Sequence, residues 1–211
     1  MWYRALLIAG LLGGAAVTAS AQGTTRMSVG LDSRLWIEGA SNLSRWSCKA
    51  RTLDAAIYVD SGSRDFPDIQ HHLRKVTVTV PVAALTCGHA PMDKSLRTAL
   101  KAGKGAATED IVATLDVLGS DDSASHTVHT AGSLRLAGRE NTVRVDIDAS
   151  IDGGGLEAQG ELPILLSDYG IVPPTGLFGA IRCADRVIVK FALTVVPNIL
   201  TASAANASLP Y

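Results

Sequence analysis

The sequence predicts an all-β protein, in which about eight antiparallel strands fold as a sandwich or close into a barrel, with one short helix inserted between strands. Three observations carry this prediction. Apolar and polar residues alternate in several separate segments, which is the period of half-buried strands. Polar turns containing glycine lie between those segments. One stretch, at about residues 93–102, has the period of a helix instead.

The alternation is clearest at residues 143–151, where Val, Ile and Ala alternate strictly with Arg, Asp and Ser. A barrel is favoured over an open sheet because closure removes exposed strand edges. If each apolar set faces inward, the interior is apolar along most of its length. In chain order, the pattern predicts strands near 35–39, 46–48, 55–59, 76–82, 111–117, 126–137, 143–151, 156–166 and 187–195.

The predicted helix is amphipathic. Asp93 is suited to cap its start and Gly103 to end it. Leu96 and Leu100 lie four residues apart on one face, and Ala99 lies beside them. A helix of this length is marginal alone in water, so we expect its apolar face to dock against the strands on either side.

The composition indicates one globular domain. The chain has 211 residues and a formal net charge of −1 at pH 7, without a block of basic residues that would suggest nucleic-acid binding. The sequence has no internal repeat and no second set of core-forming segments. We therefore expect a single domain and no nucleic-acid partner.

The first 21 residues have the pattern of a cleaved signal peptide. Arg4 gives a positive start, an apolar run follows, and Ala19-Ser20-Ala21 is a small-x-small cleavage signal. An uncleaved membrane anchor is the alternative, although the run is short for a bilayer. We expect an exported protein, periplasmic or secreted from a bacterium, without a stable membrane span after cleavage. The predicted divisions are signal peptide 1–21, flexible N-terminus 22–30, barrel 31–196 and flexible tail 197–211.

The sequence offers few residues for catalysis or metal binding. The three cysteines have no C-x-x-C spacing, and their odd number leaves at least one thiol free or paired with another molecule. His126 and His129 are three residues apart, so on a strand they point to opposite faces. Cys87 and His89 share a face only where the chain is extended, which makes a metal or thiol–histidine site there the weaker alternative. We expect no metal and no cofactor.

Two motifs resemble those of the YceI-like family of periplasmic proteins. The helix carries Met92 followed by Leu96 and then Ala99-Leu100-Lys101, and residues 167–171 read Ser-Asp-Tyr-Gly-Ile. The resemblance covers about residues 31–196. In place of the charged histidine segment common near the family N-terminus, this chain has Trp46-Ser47-Cys48.

The resemblance implies a lipocalin-like antiparallel barrel whose apolar interior holds a long-chain lipid such as a polyisoprenoid. It also implies a Cys48–Cys87 disulfide with Cys183 free, against the alternative of three buried thiols. Asp168 and Tyr169 are candidate polar groups at the mouth, although Asp168 is better suited to a structural role in its turn.

The resemblance and the alternating pattern together predict a binding protein that performs no chemistry on a fatty-acyl or isoprenoid chain. An enzyme on the same barrel, using Cys87/His89 or another polar site, is the first alternative, and a ligand-free stress-response or structural barrel is the second. The oligomeric state stays open, with a dimer among the alternatives. The residues expected to line or gate the cavity are Val78, Val80, Leu96, Leu100, Ala113, Leu115, Val145, Ile147, Tyr169, Val189 and Phe191.

Overall fold

The computed structural model describes residues 24–60, 72–101, 110–121, 126–152, 155–176 and 179–196. The helix α1 is Ala90–Lys101, and short 3₁₀ turns occupy Val82–Ala84 and Leu166–Tyr169. The strands are β1 (Thr24–Val29), β2 (Arg34–Ser41), β3 (Arg45–Ala50), β4 (Asp54–Asp60), β5 (Leu73–Pro81), β6 (Leu85–Thr86), β7 (Asp110–Ser120), β8 (Thr127–Leu136), β9 (Arg139–Asp152), β10 (Gly155–Leu165), β11 (Thr175–Gly176) and β12 (Ile181–Val196). The signal peptide and the C-terminal tail predicted from the sequence lie outside the described residues.

Eight of these strands close into an antiparallel barrel, as predicted. They follow the order β1-β4-β5-β7-β8-β9-β10-β12, and β12 pairs back to β1. In the closing pair, Ser28 lies opposite Val196 and Val29 opposite Val195. Closure gives both edges of the ring a hydrogen-bonding partner, which removes the exposed edges that an open sheet would have.

Three pairs of short strands act as three long bent strands. The first long strand consists of β1 and β2, the second of β3 and β4, and the third of β5 and β6. The first pairs with β12 on one side and with the second on the other, and the second pairs with the third. The barrel is therefore an up-and-down meander, in which α1 connects the third long strand to the fourth. We call the end of the barrel at residues 42–44, 82–101, 137–138 and 166–176 the helix end.

The N-terminal boundary differs from the prediction. Residues 24–29 were expected to belong to a flexible segment, but they form β1 and complete the ring between β4 and β12. Met27 is buried opposite Ile57 in this ladder. Only two apolar residues, Met27 and Val29, mark the segment, so the alternation is too short to predict a strand without its partners.

The helix α1 begins three residues earlier than expected, at Ala90 rather than Asp93. Pro91 falls in the first turn, where a missing backbone N–H costs no intrahelical hydrogen bond. The backbone N–H of Asp93 already donates to the carbonyl of His89 at 3.0 Å. In the described part of the chain, no helix is long and apolar enough to cross a membrane.

Side chains on the barrel wall alternate between a cavity face and a solvent face. Val78 lies opposite Ala113, and Ala113 lies opposite Leu134, so one inward layer passes through β5, β7 and β8. On the outside of β12, the Lys190 ammonium lies 3.0 Å from the Glu38 carboxylate of β2. Charge is therefore placed on the outside of the same strands whose inner positions are apolar.

Two glycines on the inner face allow close approach within the wall. A Cβ on Gly132 of β8 would lie 1.9 Å from the backbone oxygen of Thr114 in β7, a distance that no side chain can adopt. A Cβ on Gly160 of β10 would lie 2.7 Å from the ring of Phe191, which occupies the space above the glycine. Glycines at such positions let a small barrel curve tightly while an aromatic ring fills the gap.

Candidate ligand cavity

The barrel encloses a cavity of about 150 Å³, lined by residues of β2, β3 and every strand of the ring except β1. It is bounded at the helix end by Leu96, Ala99 and Leu100 of α1, and towards the opposite end by Leu156 and Val195. All but one of the residues predicted to line or gate a cavity do lie along it: Val78, Val80, Leu96, Leu100, Ala113, Leu115, Val145, Ile147, Val189 and Phe191.

The exception is Tyr169, which was expected at the cavity mouth and lies elsewhere. It ends the 3₁₀ turn before Gly170, whose φ of 68° turns the chain into the left-handed region. Its side chain is buried, which raises its pKa above the usual value. It lines a separate surface pocket beside Asp168 and Arg186. Burial among turn residues explains why the ring does not reach the cavity.

Asp168 does not have the structural role expected for it in this turn. The carboxylate that accepts the turn's backbone N–H belongs to Asp185, whose Oδ1 lies 2.8 Å from the Ser167 nitrogen. The Ser167 hydroxyl donates to the other oxygen of Asp185 at 2.6 Å. Asp168 is exposed and contributes its backbone carbonyl, which accepts a hydrogen bond from the Asn141 side chain at 3.0 Å.

Two of the described lining residues have a polar side-chain atom, and neither atom opens onto the cavity. The Thr130 hydroxyl is buried and donates to the carbonyl of Val145 at 2.7 Å, so the backbone satisfies it. Trp46 of β3 also lines the cavity, and its indole Nε1 is buried with no hydrogen-bond partner in the described residues. The lining has no titratable side chain in the described part of the chain.

The sequence did not assign Trp46 to the cavity. Alternation indicated that Trp46 and Cys48 share a face of β3, but it does not say which face points inward. The pairing of β3 with β2 decides which face of β3 points inward, because Trp46 lies opposite Gly39 of β2. A Cβ on Gly39 would lie 2.2 Å from Cζ2 and 2.5 Å from Cε2 of the indole, so the ring occupies the space above the glycine.

Side-chain hydrogen bonds attach α1 to the strand before it. The Asp93 carboxylate accepts a hydrogen bond from the Cys87 backbone N–H at 2.5 Å and from the Thr86 hydroxyl at 2.9 Å. The Cys87 N–H is the main reason why the pKa of Asp93 is lowered. Arg97 donates to the carbonyl of Leu85 at 3.3 Å. Asp93 therefore joins the helix to β6 and does not cap it.

A disulfide joins Cys48 of β3 to Cys87, and Cys183 is free. The ladder of β3 and β6 places Lys49 opposite Thr86, and the next position along it brings the two cysteines together. Because the Cys87 sulfur is in the disulfide and His89 is exposed, a thiol–histidine site at these residues is not supported.

The histidines give no metal site among the described residues. His129 lies on the outside of the barrel, with Nδ1 2.8 Å from Asp146 and Nε2 3.0 Å from Asp121. These carboxylates, Asp146 first, raise the pKa of His129 above its usual value. The imidazole therefore acts as an ion-pair partner for two acidic side chains, at the end of the barrel opposite α1.

The fold and the cavity define a small closed β-barrel with an apolar interior and one helix at its end. The YceI-like domain model matches residues 40–195, and the chain belongs to that family. A search of the curated proteins finds no match.

Several solved structures share the fold. Burkholderia cenocepacia BcnA has a TM-score of 0.61 at 17% identity, covering 80% of this chain and 99% of that one. A polyisoprenoid-binding domain from Saccharophagus degradans, implicated in plant cell wall breakdown, has a TM-score of 0.57 at 13% identity, covering 83% and 99%. The Campylobacter jejuni YCEI protein has a TM-score of 0.52 at 15% identity, covering 70% and 82%.

Proposed function

We propose that this chain is an exported carrier that holds one long apolar chain, of the isoprenoid or fatty-acyl class, inside the barrel without changing it chemically. The lining is the observation that carries this proposal. Apolar side chains from β2, β3 and seven of the eight ring strands face one cavity, and the single hydroxyl among them is bonded to the backbone. Such a cavity favours a hydrocarbon over a polar solute, at about 0.8 kcal/mol for each buried methylene.

Binding is favoured over catalysis by the same lining. General acid–base or nucleophilic chemistry needs titratable groups that converge on a substrate. The described cavity lining has none, and the cysteine of the alternative enzymatic site is part of a disulfide. The similarity to a polyisoprenoid-binding domain from S. degradans supports an isoprenoid ligand.

The cavity is small for a long-chain ligand. About 150 Å³ is below the roughly 300–1,000 Å³ typical of small-molecule sites. A long chain therefore needs lining side chains to repack or α1 to move outward. The helix is the more movable boundary, because side-chain hydrogen bonds attach it to β6 whereas continuous backbone ladders join the wall strands.

Export is supported by two independent features. Residues 1–21 have the pattern of a signal peptide. The disulfide between Cys48 and Cys87 belongs in an oxidising compartment, such as a bacterial periplasm. The family resemblance points to the same location. Intact mass of the exported protein should begin at Gln22, and a mature protein that retains Met1 would contradict cleavage after Ala21.

The test of binding is to fill the cavity. Ala149 is 3% exposed and lines the cavity on β9, so Ala149→Trp should expel the ligand. Arg144→Trp on the same strand is the matched control, because Arg144 is exposed. Ala113→Trp repeats the test on β7.

Native mass spectrometry after gentle purification should show a bound lipid on the wild type and on Arg144→Trp, and none on Ala149→Trp. Circular dichroism would check that each variant keeps the fold. If the wild type carries no lipid and gains no thermal stability from added polyprenyl or fatty-acyl chains, the proposal fails and the ligand-free alternative takes its place.

A further inference from the structure

Two apolar side chains are exposed to solvent at the helix end, on loops that surround the cavity. Leu43, in the turn between β2 and β3, is 69% exposed, and Val172, after the second 3₁₀ turn, is 82% exposed. A single exposed apolar residue is normal on a protein surface, but two of them beside an apolar cavity can form part of a binding surface. We call the loops that carry them, residues 42–45 and 171–176, together with the start of β12 at residues 180–182, the rim.

Hydrogen bonds hold both loops against the start of β12. On one side, the backbone N–H of Arg182 donates to the Asn42 side chain at 2.9 Å. On the other side, the backbone N–H of Cys183 donates to the Pro174 carbonyl at 3.3 Å. The two exposed side chains therefore belong to one connected structure and not to two independent loops.

The rim continues the apolar surface of the cavity outward. Ile171 and Pro174 line the cavity, while Val172 between them is exposed to solvent. Leu43 precedes β3, whose Trp46 ring also lines the cavity. A hydrocarbon chain that entered the barrel at this end would pass next to the exposed side chains.

Basic side chains accompany the two apolar ones. Arg45 is two residues from Leu43, Arg182 lies between the two loops, and Lys94 is on the surface of α1. All three are exposed, and none of them has an ion-pair partner among the described residues. The helix end therefore carries cationic charge that no neighbouring carboxylate in the described structure neutralises.

The opposite end of the barrel carries mainly acidic side chains. Asp121, Asp146 and Glu157 are exposed there. The cations Arg74 and Lys75 at that end are ion-paired with carboxylates. An anionic surface would therefore attract the rim and repel the opposite end, which would orient the helix end towards that surface.

We propose that the rim docks the barrel on an anionic lipid bilayer. A bilayer has hydrocarbon beneath a layer of phosphate groups, so it matches both kinds of side chain at the rim. Leu43 and Val172 enter the apolar boundary, and the three basic side chains contact the phosphates. Docking requires no ligand in the barrel, whereas uptake of the bound chain from this bilayer rests on the proposed function.

The test measures flotation of the mature chain with vesicles of equal parts phosphatidylglycerol and phosphatidylcholine, and with vesicles of phosphatidylcholine alone. We expect the wild type to bind the anionic vesicles, and to bind less tightly at high salt or without phosphatidylglycerol. Leu43→Ser/Val172→Ser should lower the affinity about tenfold. The matched control is Leu31→Ser/Leu118→Ser, which removes two exposed leucines away from the rim.

A second pair of variants tests the charges. Arg45→Gln/Arg182→Gln should lower the affinity for anionic vesicles about tenfold, because each cation near the surface adds to the attraction by the lipid phosphates. Arg34→Gln/Arg144→Gln removes the same net charge from exposed positions on the barrel wall, and we expect a much smaller effect. Circular dichroism would check that each variant keeps the fold.

A measurement on the wild type keeps the test valid if a rim variant does not fold. In ¹H–¹⁵N spectra, anionic bicelles that contain a paramagnetic lipid should broaden the amide resonances of Leu43 and Val172 more than that of Leu118. Equal broadening, equal affinities of a rim variant and its control, or a wild type that binds neither kind of vesicle would overturn the docking. A wild-type dimer that Leu43→Ser/Val172→Ser dissociates would also overturn it, since the rim would then be a contact between two copies of the chain. Lipid carried inside the barrel is measured separately by native mass spectrometry, so failure of the docking leaves the proposed function standing.

Discussion

The barrel wall and the cover at the helix end are held together in different ways. In the wall, β10 and β12 pair without a break from Leu156 to Leu165, and β8 and β9 pair from Thr127 to Leu136. The cover consists of α1. Side-chain hydrogen bonds of Asp93 and Arg97 attach it to residues 85–87, and the disulfide of Cys87 ties that segment to β3. A ladder of backbone bonds opens cooperatively, whereas a helix held by a few side chains can move alone. The wall therefore sets the shape of the cavity, and we propose that the cover controls access to it.

The largest expected effect comes from the disulfide that anchors the cover. Cys48 and Cys87 are 39 residues apart, so in the chain-entropy model the bond contributes about 4 kcal/mol. We expect Cys48→Ala/Cys87→Ala to lower the free energy of unfolding by up to this amount in a urea titration. Cys183→Ala, which removes the free thiol, is the control. Equal stability of the double variant and the control would show that the cover needs no covalent anchor.

A change in the wall should have the next largest effect. Gly132→Ala places a methyl group against the Thr114 carbonyl, so the β7–β8 ladder must separate, at a cost of about 3 kcal/mol. Gly119→Ala on the neighbouring strand is the control, because a Cβ there meets nothing within 4 Å. Thermal unfolding of both variants measures the difference. A Gly132→Ala protein as stable as the control would mean that the wall is more adaptable than the cover.

A smaller, local effect is expected at Asp93. Its pKa is lowered chiefly by the Cys87 N–H, so its stabilising contribution is present above about pH 4 and is lost as the pH falls through the lowered value. Asp93→Asn should speed hydrogen exchange in α1 and remove this acid dependence, after correction for intrinsic exchange rates. Asp116→Asn, an exposed carboxylate on β7, is the control. Unchanged exchange in α1 would show that Asp93 does not hold the cover.

The smallest effect is expected at His129, at the opposite end. Its pKa is raised by Asp146 and Asp121, so its contribution is complete below about pH 6.5 and is lost as the pH rises through the raised value. The difference in Tm between the wild type and His129→Gln should therefore be largest in mild acid and shrink in alkali. His126→Gln is the control on the same segment. A difference that does not vary with pH would contradict an ion-paired imidazole.

The wall was predictable from the sequence because each strand has one apolar and one polar face. That contrast gives the alternation at Val143, Val145 and Ile147, which the structure places on the inner face of β9. Two parts lacked the contrast. β1 offers only Met27 and Val29, and the first part of β12 reads Ile181-Arg182-Cys183-Ala184-Asp185-Arg186, which has no sustained apolar face.

The sequence predicts which face of each strand points inward, but not how individual side chains are arranged around the cavity. Ala113 and Phe191 lie on strands with clear alternation, and both line it. The position of Trp46 depends on its pairing with Gly39 and on closure of the ring, neither of which is local information. Tyr169 was misplaced for a related reason, because the turn at Gly170 decides where its ring lies. Local periodicity shows that a residue is buried, and long-range register shows where.

Closure of the ring between β1 and β12 also constrains how the protein folds. The first long strand, made of β1 and β2, meets β12 across most of the described chain, with Ser28 opposite Val196 and Ser41 opposite Cys183. The other neighbouring pairs in the barrel join segments much closer in sequence, which favours their early formation. Until β12 has been made, the first strand is an unpaired edge able to join another chain. Synthesis runs from the N-terminus, so the nascent polypeptide carries that aggregation hazard for almost its whole passage to the folded state.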